Sequence, residues 1–283
     1  MKKSWGIFTA LLLVLVVALA GCGSGDSEKS ESSGGKEKEK FTVGMEAGYA
    51  PFNWTQKDDA NGAVKIEGNA EYAGGYDVQI AKKIADSLDR ELVIVKTEWD
   101  GLIPALISGK IDAVIAGMSP TEERKKTIDF SDIYYTSNLV MVVKKGGKYD
   151  NATSIQDFKG AKVTGQLNTS HYTVIDQIDG VQKQPASDNF SAMRVALESG
   201  KIDAYVSERP EGLSASAAND KFKMIEFKDG SGFKADKAEF SIAVGVKKGS
   251  ELAEQVNKAL AGISEEERQK IMETEIKNQP AAK

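Results

Sequence analysis

One nine-residue stretch of the chain occurs twice. It is first Ala105-Leu106-Ile107-Ser108-Gly109-Lys110-Ile111-Asp112-Ala113 and then, 91 residues later, Ala196-Leu197-Glu198-Ser199-Gly200-Lys201-Ile202-Asp203-Ala204, with eight of the nine positions identical. Each copy has the pattern of a helix end, a glycine that caps it and the start of a strand. A repeated junction of this kind predicts two α/β lobes of similar construction.

The segments around the first copy alternate between strand and helix patterns. Residues 41–44 and 92–95 are short apolar runs, and the second of these is typical of a strand buried on both faces. Between them, apolar residues at helical spacing predict a helix that Asp77 caps. Strands that alternate with helices predict parallel sheets covered by helices on both faces, which is the α/β fold class.

Two apolar, strand-like runs at 139–143 and 242–246 are the candidate crossings between the lobes. The first would leave lobe 1 and the second would return to it. Lobe 1 is therefore expected to comprise 41–139 plus 243–283, and lobe 2 to comprise 140–242. Two extended crossings favour closure of the lobes about a hinge. Because open α/β sheets bind ligands beyond the carboxyl ends of their strands, facing lobes would share one cleft.

The first forty residues indicate export and membrane attachment. Lys2 and Lys3 precede an apolar run over 7–20, and Leu19-Ala20-Gly21-Cys22 places small residues before the only cysteine. This pattern is typical of a secretory signal over 1–22, and it resembles a bacterial lipobox in which Cys22 is acylated. A plain signal anchor with an incidental cysteine is the alternative. Residues 23–40 carry no large apolar side chain and are expected to form a disordered tether.

The composition argues against several classes of protein. The 37 basic and 42 acidic residues give a net charge of −5, whereas a nucleic-acid partner would favour a basic surface. One cysteine and one histidine supply neither an intramolecular disulfide nor the usual zinc site. The chain also has no glycine-rich nucleotide loop, nucleophile elbow or metalloprotease motif. We therefore expect no cofactor, no metal, no nucleic-acid partner and no catalysis.

A polar motif follows the strand of the first repeat copy. It is Gly117-Met118-Ser119-Pro120-Thr121-Glu122-Glu123-Arg124, in which Ser119 and Glu122 fit a capping box. A helix that begins there would point its free N–H groups at the cleft and favour an anion. The planar guanidinium of Arg124 could bind a carboxylate through two parallel hydrogen bonds. The alternative is a capped surface helix whose arginine faces solvent.

Lobe 2 supplies groups that would complement this motif. The turn Asn168-Thr169-Ser170-His171 could donate N–H and hydroxyl groups to the same anion, with His171 as a polar lining residue. Glu208, at the end of the second repeated strand, is a natural partner for a cation in the cleft. A ligand with both a carboxylate and an ammonium is expected, and an L-amino acid is the simplest one.

An aromatic segment after the first strand could contact the rest of the ligand. In Tyr49-Ala50-Pro51-Phe52-Asn53-Trp54, three aromatic rings surround a proline, and they could pack on an aliphatic or cationic group. A local hydrophobic plug is the alternative. Glu46 could face a basic or amide side chain of the ligand, or lie in solvent. Trp99 is expected to pack against its own helix.

Several of these motifs together resemble the extracellular solute-binding proteins of family 3, the amino-acid receptors of ABC importers. The resemblance covers about 41–260 and depends above all on the segment 118–124 followed by Asp129-Phe130-Ser131. Further matching motifs are Tyr49-Ala50-Pro51-Phe52, Gly75-Tyr76-Asp77-Val78, Trp99-Asp100-Gly101-Leu102-Ile103-Pro104-Ala105-Leu106 and Gly109-Lys110-Ile111-Asp112.

The resemblance implies a two-lobed fold like that of type II periplasmic binding proteins, with two hinge strands. It implies that Arg124, Ser119 and the Thr169-Ser170 turn hold the α-carboxylate of the ligand. The same pattern implies that the Gly117 carbonyl, Ser119 and Glu208 hold the α-amino group, with Phe52 stacked nearby. Two departures stand out: Glu208 occupies a position that is more usually Asp, and 265–283 is charged where the family ends in aromatic residues.

The expected function is that of a monomeric, lipid-anchored receptor on the extracellular face of a bacterial membrane. It would bind an L-amino acid, with a polar or cationic one favoured by Glu46, and deliver it to the membrane permease of an ABC importer. Two alternatives use the same fold. One is an enzyme of the dehydratase type acting on prephenate-like acids, and the other is a sensory ligand-binding ectodomain.

Overall fold

The structure, a computed structural model, describes residues 38–228 and 230–280. The expected signal peptide, Cys22 and nearly all of the expected tether lie outside the described residues. None of the helices within the described part of the chain is long and apolar enough to cross a membrane.

The strands of the described residues are β1 (Lys40–Met45), β2 (Gly48–Tyr49), β3 (Asn53–Gln56), β4 (Val64–Lys65), β5 (Tyr72–Gly74), β6 (Glu91–Lys96), β7 (Ala113–Val114), β8 (Ile128–Thr136), β9 (Leu139–Lys144), β10 (Lys162–Thr164), β11 (Gln182–Lys183), β12 (Ala204–Glu208), β13 (Phe222–Ile225) and β14 (Ser241–Lys247).

The α-helices are α1 (Tyr76–Ser87), α2 (Leu102–Ser108), α3 (Glu122–Lys125), α4 (Ser170–Thr173), α5 (Phe190–Ser199), α6 (Arg209–Ala218), α7 (Leu252–Ala261) and α8 (Glu265–Asn278). Short 3₁₀ turns at Trp99–Gly101 and Lys237–Glu239 adjoin the site described below.

Two five-stranded sheets of matching design form the two lobes. The first has the order β6-β1-β7-β14-β8 and the second the order β11-β10-β12-β9-β13. In each sheet the first three strands are parallel and the last two join antiparallel to their neighbours. We call the parts built on these sheets lobe 1 and lobe 2. The expected α/β fold with two lobes is confirmed.

The repeated sequence forms the same junction in both lobes. Gly109 and Gly200 each end their helix in the left-handed region at φ 76° and ψ 17°, where glycine is favoured. The aspartates of the two repeat copies form equivalent hydrogen bonds, each to a backbone N–H of the neighbouring parallel strand. Asp112 Oδ2 accepts a hydrogen bond of 2.8 Å from the N–H of Thr42 within β1, and Asp203 Oδ2 accepts one of 2.8 Å from the N–H of Lys162 at the start of β10.

The chain passes between the lobes twice. It leaves the first sheet after β8, enters the second sheet with β9, and returns to the first sheet in β14. Both runs predicted as crossings are strands, and each is paired within one sheet. The numerical limits of the lobes at 139/140 and 242/243 stay a prediction.

The sequence pattern predicted that Asp77 caps α1, and this prediction is wrong. Gly75 occupies the N-cap position, and Asp77 lies inside the first turn, fully buried. Its carboxylate accepts hydrogen bonds from Asn53 Nδ2 at 2.9 Å and from the Tyr134 hydroxyl at 2.8 Å. Burial raises the pKa of Asp77 to about 6. The side chain therefore ties α1 to two strands, because these long-range donors satisfy it better than a local helix end.

The buried side chains of lobe 1 continue into lobe 2. The ring of Tyr49 stacks on Phe190 of α5 with centroids 4.3 Å apart, and on Phe52 with centroids 4.9 Å apart. This three-ring stack crosses from one lobe to the other beside the carboxyl ends of β7 and β12. A second apolar cluster lies within lobe 2 alone and includes Phe158 and Ile175.

Candidate ligand-binding site

A small cavity lies where the two lobes face each other. Lobe 1 lines it with Tyr49, Trp99, Gly117, Ser119, Thr121 and Arg124. Lobe 2 lines it with Gln166, Thr169, Ser170, His171 and Glu208. Six of the eight ligand-binding residues predicted from the sequence are therefore brought together, from segments up to 91 residues apart in the chain.

Arg124 is held over the cavity and does not project into solvent. Its Nη1 donates to the Ser119 carbonyl at 2.9 Å, and its Nη2 donates across the lobes to the Asn168 carbonyl at 2.8 Å. The guanidinium carbon lies 5.0 Å from the centroid of the Trp99 ring, a cation–π arrangement. Burial lowers the pKa of Arg124 to about 10, so the group stays charged at neutral pH. The alternative of a solvent-facing arginine is wrong.

The capping box predicted at Ser119 is also wrong. The helix α3 has only four residues, and its cap is Thr121, whose side chain accepts a bond from the Arg124 N–H. The Ser119 hydroxyl instead donates to the Glu239 carbonyl at 2.9 Å. A backbone acceptor 120 residues away thus takes the hydroxyl that the local pattern assigned to the helix.

The hydroxyl groups of lobe 2 line the cavity close to Ser119 of lobe 1. Ser170 donates to the same Glu239 carbonyl at 3.0 Å, and Thr169 donates to the Gln166 carbonyl at 2.7 Å. Ser119 and Ser170, one from each lobe, therefore converge on one carbonyl oxygen. The segment around Glu239 precedes β14, so both lobes are tied to the second crossing.

Glu208 closes the other end of the cavity. It is the last residue of β12 and is 3% exposed. The Tyr49 hydroxyl donates to its Oε2, and His171 Nε2 lies 3.0 Å from its Oε1. Burial, and secondly the carboxylate of Glu211, raise the pKa of Glu208 to about 8.

The contact between His171 and Glu208 is not an ion pair at neutral pH. Burial, and secondly the charge of Arg124, lower the pKa of His171 to about 3, so its imidazole is neutral. Neither ring nitrogen of His171 has a hydrogen-bond partner among the described residues. Two neutral or nearly neutral groups therefore face the cavity, and a cation placed there would favour the ionised form of Glu208.

Gly117 allows the close approach of the aromatic ring above it. Its φ is 62°, and a Cβ at this position would lie 2.7 Å from Cε1 of Tyr49. A side chain would therefore displace Tyr49 and narrow the cavity, in addition to straining the backbone.

Phe52 and Glu46 lie outside the cavity wall. Phe52 is 1% exposed and lies one layer behind Tyr49, so the local plug anticipated as an alternative describes it better. Glu46 is buried and accepts hydrogen bonds from Gln166 Nε2 at 3.2 and 3.3 Å. Because Gln166 also lines the cavity, one side chain separates Glu46 from it. Burial raises the pKa of Glu46 to about 7.

Sequence reasoning missed four residues of the wall: Tyr49, Trp99, Thr121 and Gln166. Thr121 lies inside the motif 117–124 but was not assigned to the ligand. Trp99 was expected to pack against its own helix, but its ring lies under Arg124 and lines the cavity. Tyr49 belongs to the aromatic segment, but nothing in the segment distinguished its ring from those of Phe52 and Trp54. Gln166 carried no local signal. Within 38–228 and 230–280, no group of three His, Cys, Asp or Glu side chains could hold a metal ion.

Two α/β lobes that the chain connects twice, with a guanidinium from one and a buried carboxyl group from the other lining one cavity, are the arrangement expected of a two-lobed solute-binding protein. The family comparison agrees with this class. The chain belongs to the bacterial extracellular solute-binding proteins of family 3, whose family model matches residues 41–277. The predicted family is confirmed, and with it the expectation of a binding protein in place of an enzyme.

Named relatives are similar over most of the chain. It is 33% identical over 230 residues to the arginine-binding extracellular protein of Bacillus subtilis, covering 79% of this chain and 80% of that protein. It is 32% identical to the L-cystine-binding protein of Escherichia coli K12, with 81% and 79% covered. An amino acid ABC transporter substrate-binding protein from Streptococcus pneumoniae, solved bound to L-arginine, matches with a TM-score of 0.73 and 26% identity over 84% of this chain and 94% of that one.

Proposed function

We propose that the chain is a monomeric, lipid-anchored extracellular receptor that captures an L-amino acid between its lobes and delivers it to the permease of an ABC importer. The observation that carries the proposal is the position of Arg124 and Glu208, which line one cavity from opposite lobes. A zwitterion is the ligand whose two charges such a pair complements. The named relatives, which bind arginine and cystine, support the same class of ligand.

The carboxylate of the ligand would bind at the Arg124 end. The guanidinium supplies parallel donors, and the hydroxyls of Ser119, Thr169 and Ser170 line the same part of the cavity. Hydrogen bonds from a charged donor contribute about 1.5–3 kcal/mol each, so this end would supply much of the affinity. The hydroxyls would exchange their present carbonyl acceptors for the carboxylate.

The ammonium of the ligand would bind at the Glu208 end, with the Gly117 carbonyl beside it. Glu208 carries one more methylene than the aspartate usual in the family. The Tyr49 hydroxyl donates to its Oε2, and the neutral His171 Nε2 lies 3.0 Å from its Oε1. The ammonium would therefore compete with, or add to, these two contacts.

The side chain of the ligand would extend towards Gln166 and Glu46. Glu98 and Asp100 lie close enough to raise the pKa of Glu46, so three acids cluster on this side of lobe 1. Trp99 adds an aromatic face next to the cavity. An acidic and aromatic surrounding favours a cationic side chain over an acidic one, and we propose a basic amino acid as the preferred ligand.

Binding would close the lobes about the two crossings, with lobe 1 as 41–139 plus 243–283 and lobe 2 as 140–242. A ligand favours closure only through contacts that exist in the closed state, and a ligand held by Arg124 and Glu208 meets that condition.

Acylation of Cys22 would hold the receptor at the membrane by way of the residues up to 40. Labelling with a radioactive fatty acid in a bacterial host should mark the parent chain and leave Cys22→Ala unmarked.

Calorimetric titration with the twenty amino acids and L-cystine tests the proposal. We expect binding of a basic amino acid, lost in Arg124→Ala. Arg209→Ala is the matched control, because Arg209 is exposed, follows Glu208 directly and, among the residues that the structure describes, forms its ion pair with the exposed Glu226. Absence of binding by every member of the panel, or equal binding by the parent and Arg124→Ala, would refute the proposal.

A further inference from the structure

The end of the C-terminal helix α8, which belongs to lobe 1, forms two hydrogen bonds with lobe 2. Gln279, directly after α8, accepts a hydrogen bond at Oε1 from the Ser214 hydroxyl and donates from Nε2 to the Ser214 carbonyl at 3.3 Å. The same Nε2 donates to the Ile276 carbonyl at 3.0 Å, which fixes the amide against its own helix. Ser214 lies on α6, which directly follows β12 of lobe 2. We call the pair Gln279 and Ser214 the C-terminal latch.

The rest of α8 is fastened to lobe 1. Arg268 donates from Nη1 to the Ile133 carbonyl of β8 at 3.1 Å and from Nη2 to the Leu260 carbonyl of α7 at 2.7 Å. Lys83 of α1 pairs with Glu267 at 2.6 Å. Met272, on the same helix, is 2% exposed. The helix therefore belongs mechanically to lobe 1, and only its last turn reaches α6.

The Ser214 side of the latch is equally fixed within lobe 2. Arg194 Nη2 donates to the Ser214 hydroxyl at 3.2 Å and to Glu211 Oε1 at 2.8 Å. Glu211 is fully buried and also accepts from the hydroxyls of Tyr205 and Ser207, at 3.0 and 2.6 Å. Glu211 is in turn the carboxylate that raises the pKa of Glu208. The latch thus ends on a buried network that adjoins the proposed ligand site.

We infer that Gln279 is a positioning residue for lobe closure, whose paired hydrogen bonds to Ser214 hold the lobes in the arrangement that binds ligand. The inference rests on the proposed function and adds to it a role for the charged C-terminus. A hinge motion moves α8 relative to α6, because one is fastened to each lobe. Bonds made only in the closed arrangement shift the equilibrium towards it and raise the apparent affinity.

The main variant is Gln279→Ala, with Gln269→Ala as its control. Gln269 lies on the same helix and is exposed, and within the described part of the chain its side-chain amide donates to Glu265 of that helix, at 2.7 Å. Calorimetry with L-arginine and small-angle X-ray scattering without added ligand are the two measurements. We expect Gln279→Ala to bind about three- to tenfold more weakly, as the loss of one or two hydrogen bonds would produce, and to have a larger radius of gyration. Gln269→Ala should match the parent in both.

Ser214→Ala completes a double-mutant cycle. If the latch is the cause, the double variant Ser214→Ala/Gln279→Ala should bind no more weakly than the weaker of the single variants. Should Ser214→Ala fail to fold, Gln279→Ala still decides the question, because Gln279 lies at a helix end. The thermal midpoint of the Gln279→Ala variant can be compared with that of Gln269→Ala to check that it folds.

Equal affinity of Gln279→Ala and the parent overturns the inference. If no amino acid binds to the parent, the proposed function fails, and the radius of gyration alone then tests the latch: equal radii for Gln279→Ala and the parent overturn it, and a larger radius for the variant supports it.

Discussion

The hydroxyl of Tyr49 in lobe 1 donates a hydrogen bond to Oε2 of Glu208 in lobe 2. The ring that carries this hydroxyl also stacks on Phe190 of lobe 2, with centroids 4.3 Å apart. One side chain therefore joins the lobes through a polar and an apolar contact, directly beside the cavity. Its removal should affect binding and stability to different extents, depending on which contact is lost.

Tyr49→Phe removes the polar contact and keeps the stack. We expect ligand affinity to fall about three- to tenfold, since one interlobe hydrogen bond contributes about 0.5–1.5 kcal/mol, while the thermal midpoint changes little. Tyr49→Ala should lower the thermal midpoint as well, because truncation of a buried aromatic ring costs about 3–5 kcal/mol. Calorimetry and thermal unfolding separate the two effects. Equal affinity of Tyr49→Phe and the parent would mean that the hydroxyl does not assist closure.

Ligand affinity should rise with pH up to about 8. The pKa of Glu208 is raised to about 8, so its carboxyl holds a proton at lower pH, whereas an ammonium ligand requires the ionised form. Each pH unit below this pKa should weaken binding by up to about tenfold, with release of a proton on binding. Calorimetry in two buffers of different ionisation enthalpy measures that proton.

Glu208→Gln is the control for this pH dependence. Glu46, with its pKa raised to about 7, ionises over an overlapping range, so the variant isolates the part due to Glu208. In Glu208→Gln the slope should flatten and the proton release should decrease. Identical slopes for the variant and the parent would show that another group is responsible.

The stability of the ligand-free protein should respond to pH in the opposite direction. The pKa of Glu208 is about 8 when folded, against 4.5 when unfolded, so the unfolded chain loses this proton first as pH rises. The stabilising contribution is complete below pH 4.5 and is lost progressively towards pH 8. Relative to the parent, Glu208→Gln should therefore gain free energy of unfolding between pH 5 and 8 and level off above. Urea unfolding measures the difference, and a difference that does not change with pH would contradict the assignment.

Gly117→Ala should impair both folding and binding more than Gly109→Ala. Both glycines have positive φ, at 62° and 76°, so both substitutions carry the backbone strain of about 1–2 kcal/mol. Only at Gly117 would the added Cβ meet another group, the Tyr49 ring at 2.7 Å, whereas nothing lies within 4 Å at Gly109. Thermal unfolding and ligand titration of the two variants compare strain alone with strain plus collision. Equal binding by both variants would show that Tyr49 yields without cost.

The features that local sequence determined are those whose partners lie a few residues away. The repeated junctions at Gly109 and Gly200 were predictable because a helix end needs a left-handed residue within one turn. The alternation of apolar runs predicted the two α/β lobes in the same way. The motif 118–124 located Arg124 because a guanidinium near a strand end suits a carboxylate wherever the sheet exposes it.

The tertiary structure alone decided which of several chemically similar groups face the cavity. Ser119 bonds to Glu239 and not to its own helix, Tyr49 lies in front of Phe52, and Gln166 stands between Glu46 and the cavity. Each choice depends on groups more than a hundred residues apart or on the depth at which a ring packs. A local pattern records which side chains a segment offers, whereas burial and the approach of the second lobe determine which of them are used.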